Sequence, residues 1–420
     1  MDLNSEKIIW LAIVGAVAVP AILLLRSGRR DILPYLAAFF AYFGLGPAVN
    51  FALGNEIYSG VVQSKIGQAT VGILLALIGV LVVGLLVPAR RPAMDRSRLE
   101  HPARRYHLPP FLFLVLAGYG LVDIVVQGPG GYASDKLERI EQSGPWHYEY
   151  LLLQVLACAL YFTATSTRFG QVAYWTNFAC YVGYCMATNE RDFIFVGFSL
   201  LLHIQLFRRR PMSLRLVVAG AVAIIGATFV SYLRSPGEGR GVSLLLNEGS
   251  TIFPDTFVMT AVPHFTPFAH GGTYLGSLIS LVPGAPAHSL ADWLVEAYNP
   301  GSDSGYGFSL TAEAYMNFGL VGIPVLFAAL TLVQRFLVNR VDHSHFYAYA
   351  SILFTMTWMY NFRGESMAAL KTLLYGAILF GVVRLLSTPA PAPAPAPTAR
   401  SVDGRATGST VPEAVGRSGR

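Results

Sequence analysis

The feature that most limits what this chain can fold into is its repetition of apolar stretches long enough to cross a lipid bilayer. The first, residues 8–25, reads IIWLAIVGAVAVPAILLL with no charge inside it. A bilayer core takes a helix of about 20 apolar residues. Comparable stretches recur at roughly 32–53, 69–88, 108–126, 148–166, 171–188, 193–207, 214–233, 317–337, 346–360 and 368–386. That is about eleven spans. Without water in the hydrocarbon, each span must satisfy its own backbone hydrogen bonds, which requires helices. The expected fold is therefore all-α, a polytopic membrane bundle. Composition agrees: 54% of residues are hydrophobic and 13% are charged, about half the charge of a soluble domain.

The net charge of +6 does not point to nucleic acid, because the arginines stand in short blocks between spans. Arg26, Arg29 and Arg30 follow the first span, Arg90 to Arg105 the third, Arg168 the fifth, Arg208 to Arg215 the seventh and Arg340 the ninth. The positive-inside rule puts these connections in the cytoplasm, the N-terminus outside and the C-terminus inside. The loops at 54–68, 127–147, 189–192, 234–316 and 361–367 then face outward. The first span has no cleavage pattern and reads as retained. Cys158, Cys180 and Cys185 all fall in apolar stretches and read as core residues without disulfide or metal spacing. The organisation expected is a membrane domain over 1–386 and a tail over 387–420. The tail opens STPAPAPAPAPTAR, a Pro-Ala repeat that favours extended polyproline II and cannot bury a core.

The loop at 234–316 is far longer than joining two helices requires, and such loops commonly carry function. Three outward places break the arginine pattern: Glu190, Arg191 and Asp192 in TNERDF; Arg234, Glu238 and Arg240 in YLRSPGEGRG; Arg363 and Glu365 in NFRGES. Snorkelling to lipid phosphates or a local ion pair explains any one of them. Three at one membrane level suggest a shared anion, and the planar guanidinium suits a diphosphate. His264 and His270 flank a short run in the same loop, where a histidine serves either as general base or as a plain surface residue. GGTYLGSLISLVPG at 271–284 is apolar but too short to span; it reads as a re-entrant or interfacial segment, or as a helix packed on the outer ends of the bundle. Trp293, Tyr298, Tyr306, Phe308 and Tyr315 read as belt or packing residues, with sugar stacking as the alternative. Glu313 lies at the outer mouth of the ninth span, where burial is costly unless it is paired or functional. PGEGRG lacks the strand a phosphate loop needs, and GSDSG has Asp303 where a nucleophile elbow needs serine. No metal-binding spacing is present, so no metal or cofactor is expected.

GGTYLGSLISLVPG, then GYGFSLTAEAYMNFGLVGIP, then the outward turn with RGES, set on many spans with one large late loop, resemble the bacterial O-antigen (Wzy) polymerase family over about 230–370. The resemblance implies glycosyl transfer between undecaprenyl-diphosphate-linked repeat units at the periplasmic face of the inner membrane. It leaves a chain-length regulator protein open as a partner. Fixed cations can stabilise the diphosphate leaving group without a metal; Arg191, Arg234, Arg240 and Arg363 are the candidates. The base that activates the acceptor hydroxyl is Glu190, Asp192, Glu313, Glu365 or His264, and the residues do not choose among them. Two alternatives stand beside this reading. An O-antigen ligase would carry a His-polar pair followed by spaced glycines, which His288-Ser289 does not complete. A lipid-linked oligosaccharide flippase or transporter would place ionisable groups near the bilayer midplane, where only His203 is expected.

Overall fold

The computed structural model describes residues 3–28, 31–55, 57, 60–89, 104–131, 146–164, 167–188, 190, 192–207, 251–282, 289–300 and 307–389. Ten of the expected apolar stretches coincide with helices: α1 (Leu3–Ser27), α2 (Leu33–Ala52), α3 (Ile66–Leu86), α4 (Leu108–Gly131), α5 (His147–Ala164), α6 (Arg168–Thr188), α7 (Asp192–Phe207), α11 (Leu310–Val338), α12 (His345–Tyr360) and α13 (Ser366–Leu385). The expected span at 214–233 lies outside the described residues. Among the described residues, six helices, α1, α2, α3, α4, α11 and α13, are long and apolar enough to cross a membrane. The other four expected spans fall on α5, α6, α7 and α12, which are shorter or more polar. Among the described residues of the long loop there are three short helices, α8 (Ile252–Ala261), α9 (Gly272–Ile279) and α10 (Leu290–Tyr298).

The helices form two cores that meet at α12. Around α1, α2, α3, α8 and α11, the buried residues include Ile9, Leu33, Phe40, Ile73, Met259 and Phe327. Around α4, α5 and α6 they include Phe113, Leu156, Tyr174 and Tyr184. α12 gives Phe354, Trp358 and Met359 to the first core and Tyr349, Ile352 and Met356 to the second. A helix apolar all round belongs in the middle of a bundle. α3 and α11 touch backbone to backbone, because a Cβ on Gly79 would stand 2.5 Å from the carbonyl oxygen of Pro324.

Among the described residues, buried polar pairs cross the bundle. Arg335 of α11 donates to both carboxylate oxygens of Asp31 at 2.6 Å each, in a fully buried bidentate pair. Gln154 of α5 and Asn177 of α6 exchange amide hydrogen bonds at 3.2 and 2.7 Å. Low dielectric makes unpaired polar groups costly, so these pairs fix how the helices dock. Arg104–Arg105 and Thr388–Pro389 form a two-residue antiparallel pair, β1 and β2. That contact holds the start of the Pro-Ala segment against the connection before α4; the rest of the tail lies outside the described residues.

Candidate functional site

The site grows from a break in α11. Phe318 and Gly319 leave helical geometry, with Gly319 at φ 63°. Glycine takes that left-handed conformation without a Cβ penalty. The break cuts a short polar segment, 310–317, from the long apolar remainder of α11. It also frees two carbonyls from the helix ladder, and the loop uses both. The N–H of Ala269 donates to the carbonyl of Met316 at 3.0 Å, and that of His270 to Asn317 at 3.2 Å. The Asn317 side chain accepts from the N–H of Gly271 at 2.8 Å. His270 and Gly271 both have positive φ, 46° and 92°, which turns the chain into α9.

One turn earlier on α11, Glu313 is buried without solvent contact. Its carboxylate accepts from the Thr273 hydroxyl at 3.0 Å, the Ser366 N–H at 2.7 Å and the Ser366 hydroxyl at 2.5 Å. Asn317 donates to the Thr273 hydroxyl oxygen at 2.6 Å and to the Glu313 carbonyl at 2.8 Å. Ser277 of α9 shares a hydrogen bond with Ser366 at 2.9 Å. A single carboxylate thus ties α9, α11 and the start of α13 together. It is held by neutral donors.

The turn between α12 and α13 carries Arg363 and Glu365. Glu365 is buried and accepts from the N–H of Leu290 at 2.5 Å, at the first turn of α10. Anions are favoured there by the orphan N–H groups and the helix dipole. Burial nevertheless pushes its carboxyl up to about 7, against that hydrogen bond, and the nearby Glu313 adds to the rise. Arg363 is half-buried and makes no side-chain hydrogen bond or ion pair among the described residues. A partially desolvated guanidinium without an internal anion, two residues from a carboxyl poised near neutrality, is suited to an external anion and a proton transfer.

On the far side of the polar segment, Asp255 of α8 is buried and accepts from the Ser309 hydroxyl at 2.5 Å and the Thr311 hydroxyl at 2.7 Å. Burial raises its carboxyl to about 6, opposed by these hydroxyls and the Ala312 N–H. Ser309 also caps α11, accepting from the N–H of Ala312 at 2.9 Å. Of the aromatic residues beside it, Phe308 and Tyr315 are buried, Trp293 is half-buried and Tyr298 is exposed. Trp293 faces Phe257 and Phe308 edge-on, and Tyr298 faces Phe253. The Tyr315 hydroxyl accepts from Gln68 at 3.2 Å. Tyr306 lies outside the described residues.

A separate cluster joins α5 to the turn after α6. His147 Nε2 stands 3.4 Å from a Glu190 carboxylate oxygen, and His147 Nδ1 shares a hydrogen bond with the Tyr184 hydroxyl at 2.6 Å. The ring is fully buried.

Of the residues expected at the site, Glu313, Glu365 and Arg363 come together around the start of α13. Glu190 belongs to the His147 cluster. His264 is exposed in the turn after α8. Asp192 begins α7, and nothing is described of its side chain. Arg191, Arg234 and Arg240 lie outside the described residues. Sequence reasoning missed His147, Asp255, Thr273, Asn317 and Ser366. Two signals were available: Ser289-Leu-Ala-Asp292 and Ser309 before Leu-Thr-Ala both have the form of helix N-caps. They mark where α10 and α11 begin. The partners of Glu313 come from segments 40 and 53 residues away, which no local pattern reveals.

Residues 214–388 match the family model described as O-antigen polysaccharide polymerase Wzy. The match takes in the loop, the broken helix and the turn with Arg363, and it bears out the resemblance carried by those segments. No curated protein and no solved structure matches the chain.

Proposed function

We propose that this chain, a multi-pass membrane protein whose residues 214–388 carry the O-antigen polymerase signature, joins lipid-linked oligosaccharide repeat units by glycosyl transfer. The substrates are glycans on undecaprenyl diphosphate. The reaction takes place at the periplasmic face of the inner membrane, with the N-terminus outside and the C-terminus inside. The observation that carries this reading is one turn holding both Glu365 and Arg363, the latter without a side-chain partner among the described residues.

The chemistry follows from those two groups. The bond that breaks joins the anomeric carbon of the growing glycan to its lipid diphosphate. Negative charge gathers on that leaving group, and Arg363 stands ready to meet it without reorganisation. Arg191, Arg234 and Arg240 are proposed to complete the cationic set. The bond that forms joins the anomeric carbon to a hydroxyl of the second lipid-linked repeat. Its proton passes to Glu365, whose raised affinity suits a base working near neutral pH. Glu313 is assigned to holding the loop, because its oxygens are already taken by Ser366 and Thr273. No metal is required by this scheme.

The test is the surface polysaccharide of a strain lacking the gene, separated by size. The reading expects lipid carriers with one repeat each. Polymer of normal length left unattached to its final acceptor would point to a ligase, and unchanged glycan would overturn both.

A further inference from the structure

The three short loop helices do not share one polarity. α10 has the usual arrangement for a helix at a water surface: Leu290 and Leu294 are buried, while Asp292 and Glu296 face outward. α9 is inverted. Its inward positions are Thr273 and Ser277, which hydrogen-bond to Glu313 and Ser366. Its outward stripe is Leu275, Leu278, Ile279 and, just past its end, Val282, exposed by 59%, 52%, 46% and 60%. These positions follow the i, i+3, i+4, i+7 spacing of one helix face. Four large apolar side chains on one face would be a strong liability in water.

We infer that α9 is seated in the lipid bilayer, its outward stripe against acyl chains, while α10 stands in water. Continuity supports the bilayer as occupant. α9 packs on α11 and α13, and both spans present apolar side chains outward: Val321 and Val325 on α11, Tyr375 and Ile378 on α13. The lipid-facing surface of those spans therefore extends over the loop helix. The polar inner face of α9 is what a helix needs when its solvent is hydrocarbon, since its hydroxyls must find partners inside the protein. The membrane boundary then runs between α9 and α10, the two helices that Ser366 and Glu365 hold. This assignment does not depend on which reaction the protein performs.

The test uses single-cysteine variants Leu275→Cys, Leu278→Cys and Asp292→Cys, in a background with Cys158, Cys180 and Cys185 replaced by alanine, reconstituted in phospholipid vesicles. Each is labelled with a small fluorophore. Quenching by a phospholipid carrying a nitroxide in its acyl chain is compared with quenching by aqueous iodide. The inference expects the lipid quencher to act several-fold more strongly than iodide on labels at 275 and 278, and the reverse order at 292. Val282→Cys supplies the same readout if one variant fails to fold. Iodide quenching at 275 and 278 equal to that at 292 would place α9 in water. Shielding from both quenchers would mean protein covers the stripe, either this chain or a second copy. Either result overturns the inference.

Discussion

Glu313 and Ser366 join two helices through both oxygens of one carboxylate, with the Ser366 N–H at 2.7 Å and its hydroxyl at 2.5 Å. The Ser366 N–H is among the first donors of α13 and has no partner inside its own helix. Glu313 thus caps α13 from a distance while holding α9 through Thr273. Glu313→Gln replaces one acceptor oxygen with a donor facing donors. Leaving a buried donor unsatisfied costs about 1–3 kcal/mol. The variant should lower the thermal midpoint in detergent and expose the loop to protease. An unchanged midpoint and cleavage pattern would remove Glu313 from this role.

The Ser309 cap gives a smaller and separable effect. Ser309→Ala removes the acceptor for Ala312 and one donor to Asp255. Loss of an N-cap costs about 0.5–2 kcal/mol. A drop in thermal midpoint is expected, and Ser309→Thr should recover most of it.

Glu365 supplies the pH dependence. Its folded carboxyl is raised to about 7 by burial, above the ordinary value of about 4.3 for glutamate. The folded state therefore binds the proton more tightly than the unfolded chain. The stability this gives is full below the ordinary glutamate value and is lost as pH rises through about 7. Catalysis runs the other way, since a base must be deprotonated. The polymerisation rate should climb as pH passes through about 7 in the native protein. Glu365→Gln should be slow and flat across that range. A native profile without this rise, or a variant that keeps it, would exclude Glu365 as the base.

How far the sequence reached can be judged at α11. The apolar run at 317–337 was visible, and so was Glu313 as a charge at the mouth of a span. The break itself was not, because a glycine inside an apolar run reads equally as packing. Nor did the sequence show that the freed carbonyls hold Ala269 and His270, a contact between segments far apart in the chain. At α9 the short apolar segment 271–284 was legible as a re-entrant or interfacial piece or as a helix packed on the bundle, and its apolar face was not. Which way that face points depends on Glu313 and Ser366 lying behind it. The buried His147 beside Glu190 gave no signal, since its partners come from α6 and the turn after it.

The Asp31–Arg335 pair tests the packing of the bundle apart from the loop. Removing one member of a buried pair strands the other charge and costs about 3–5 kcal/mol. Asp31→Leu should therefore lose most of its folded yield. Replacing both, Asp31→Leu with Arg335→Met, should restore much of it. A double variant as unstable as the single one would show that the pair does more than satisfy its own charges.

The most direct measurement of the central claim uses purified protein in detergent with a single lipid-linked repeat unit as the only substrate, and products resolved by size. Without a sealed membrane there is nothing to transport. The native protein should give a ladder of multiples of the repeat. Arg363→Ala, folded by its thermal midpoint, should extend chains about 100- to 1000-fold more slowly, the cost of a lost charge-stabilising donor, and Arg363→Lys should recover little. Native protein that returns only the single repeat, or an Arg363→Ala variant that builds the ladder at the native rate, would contradict the account.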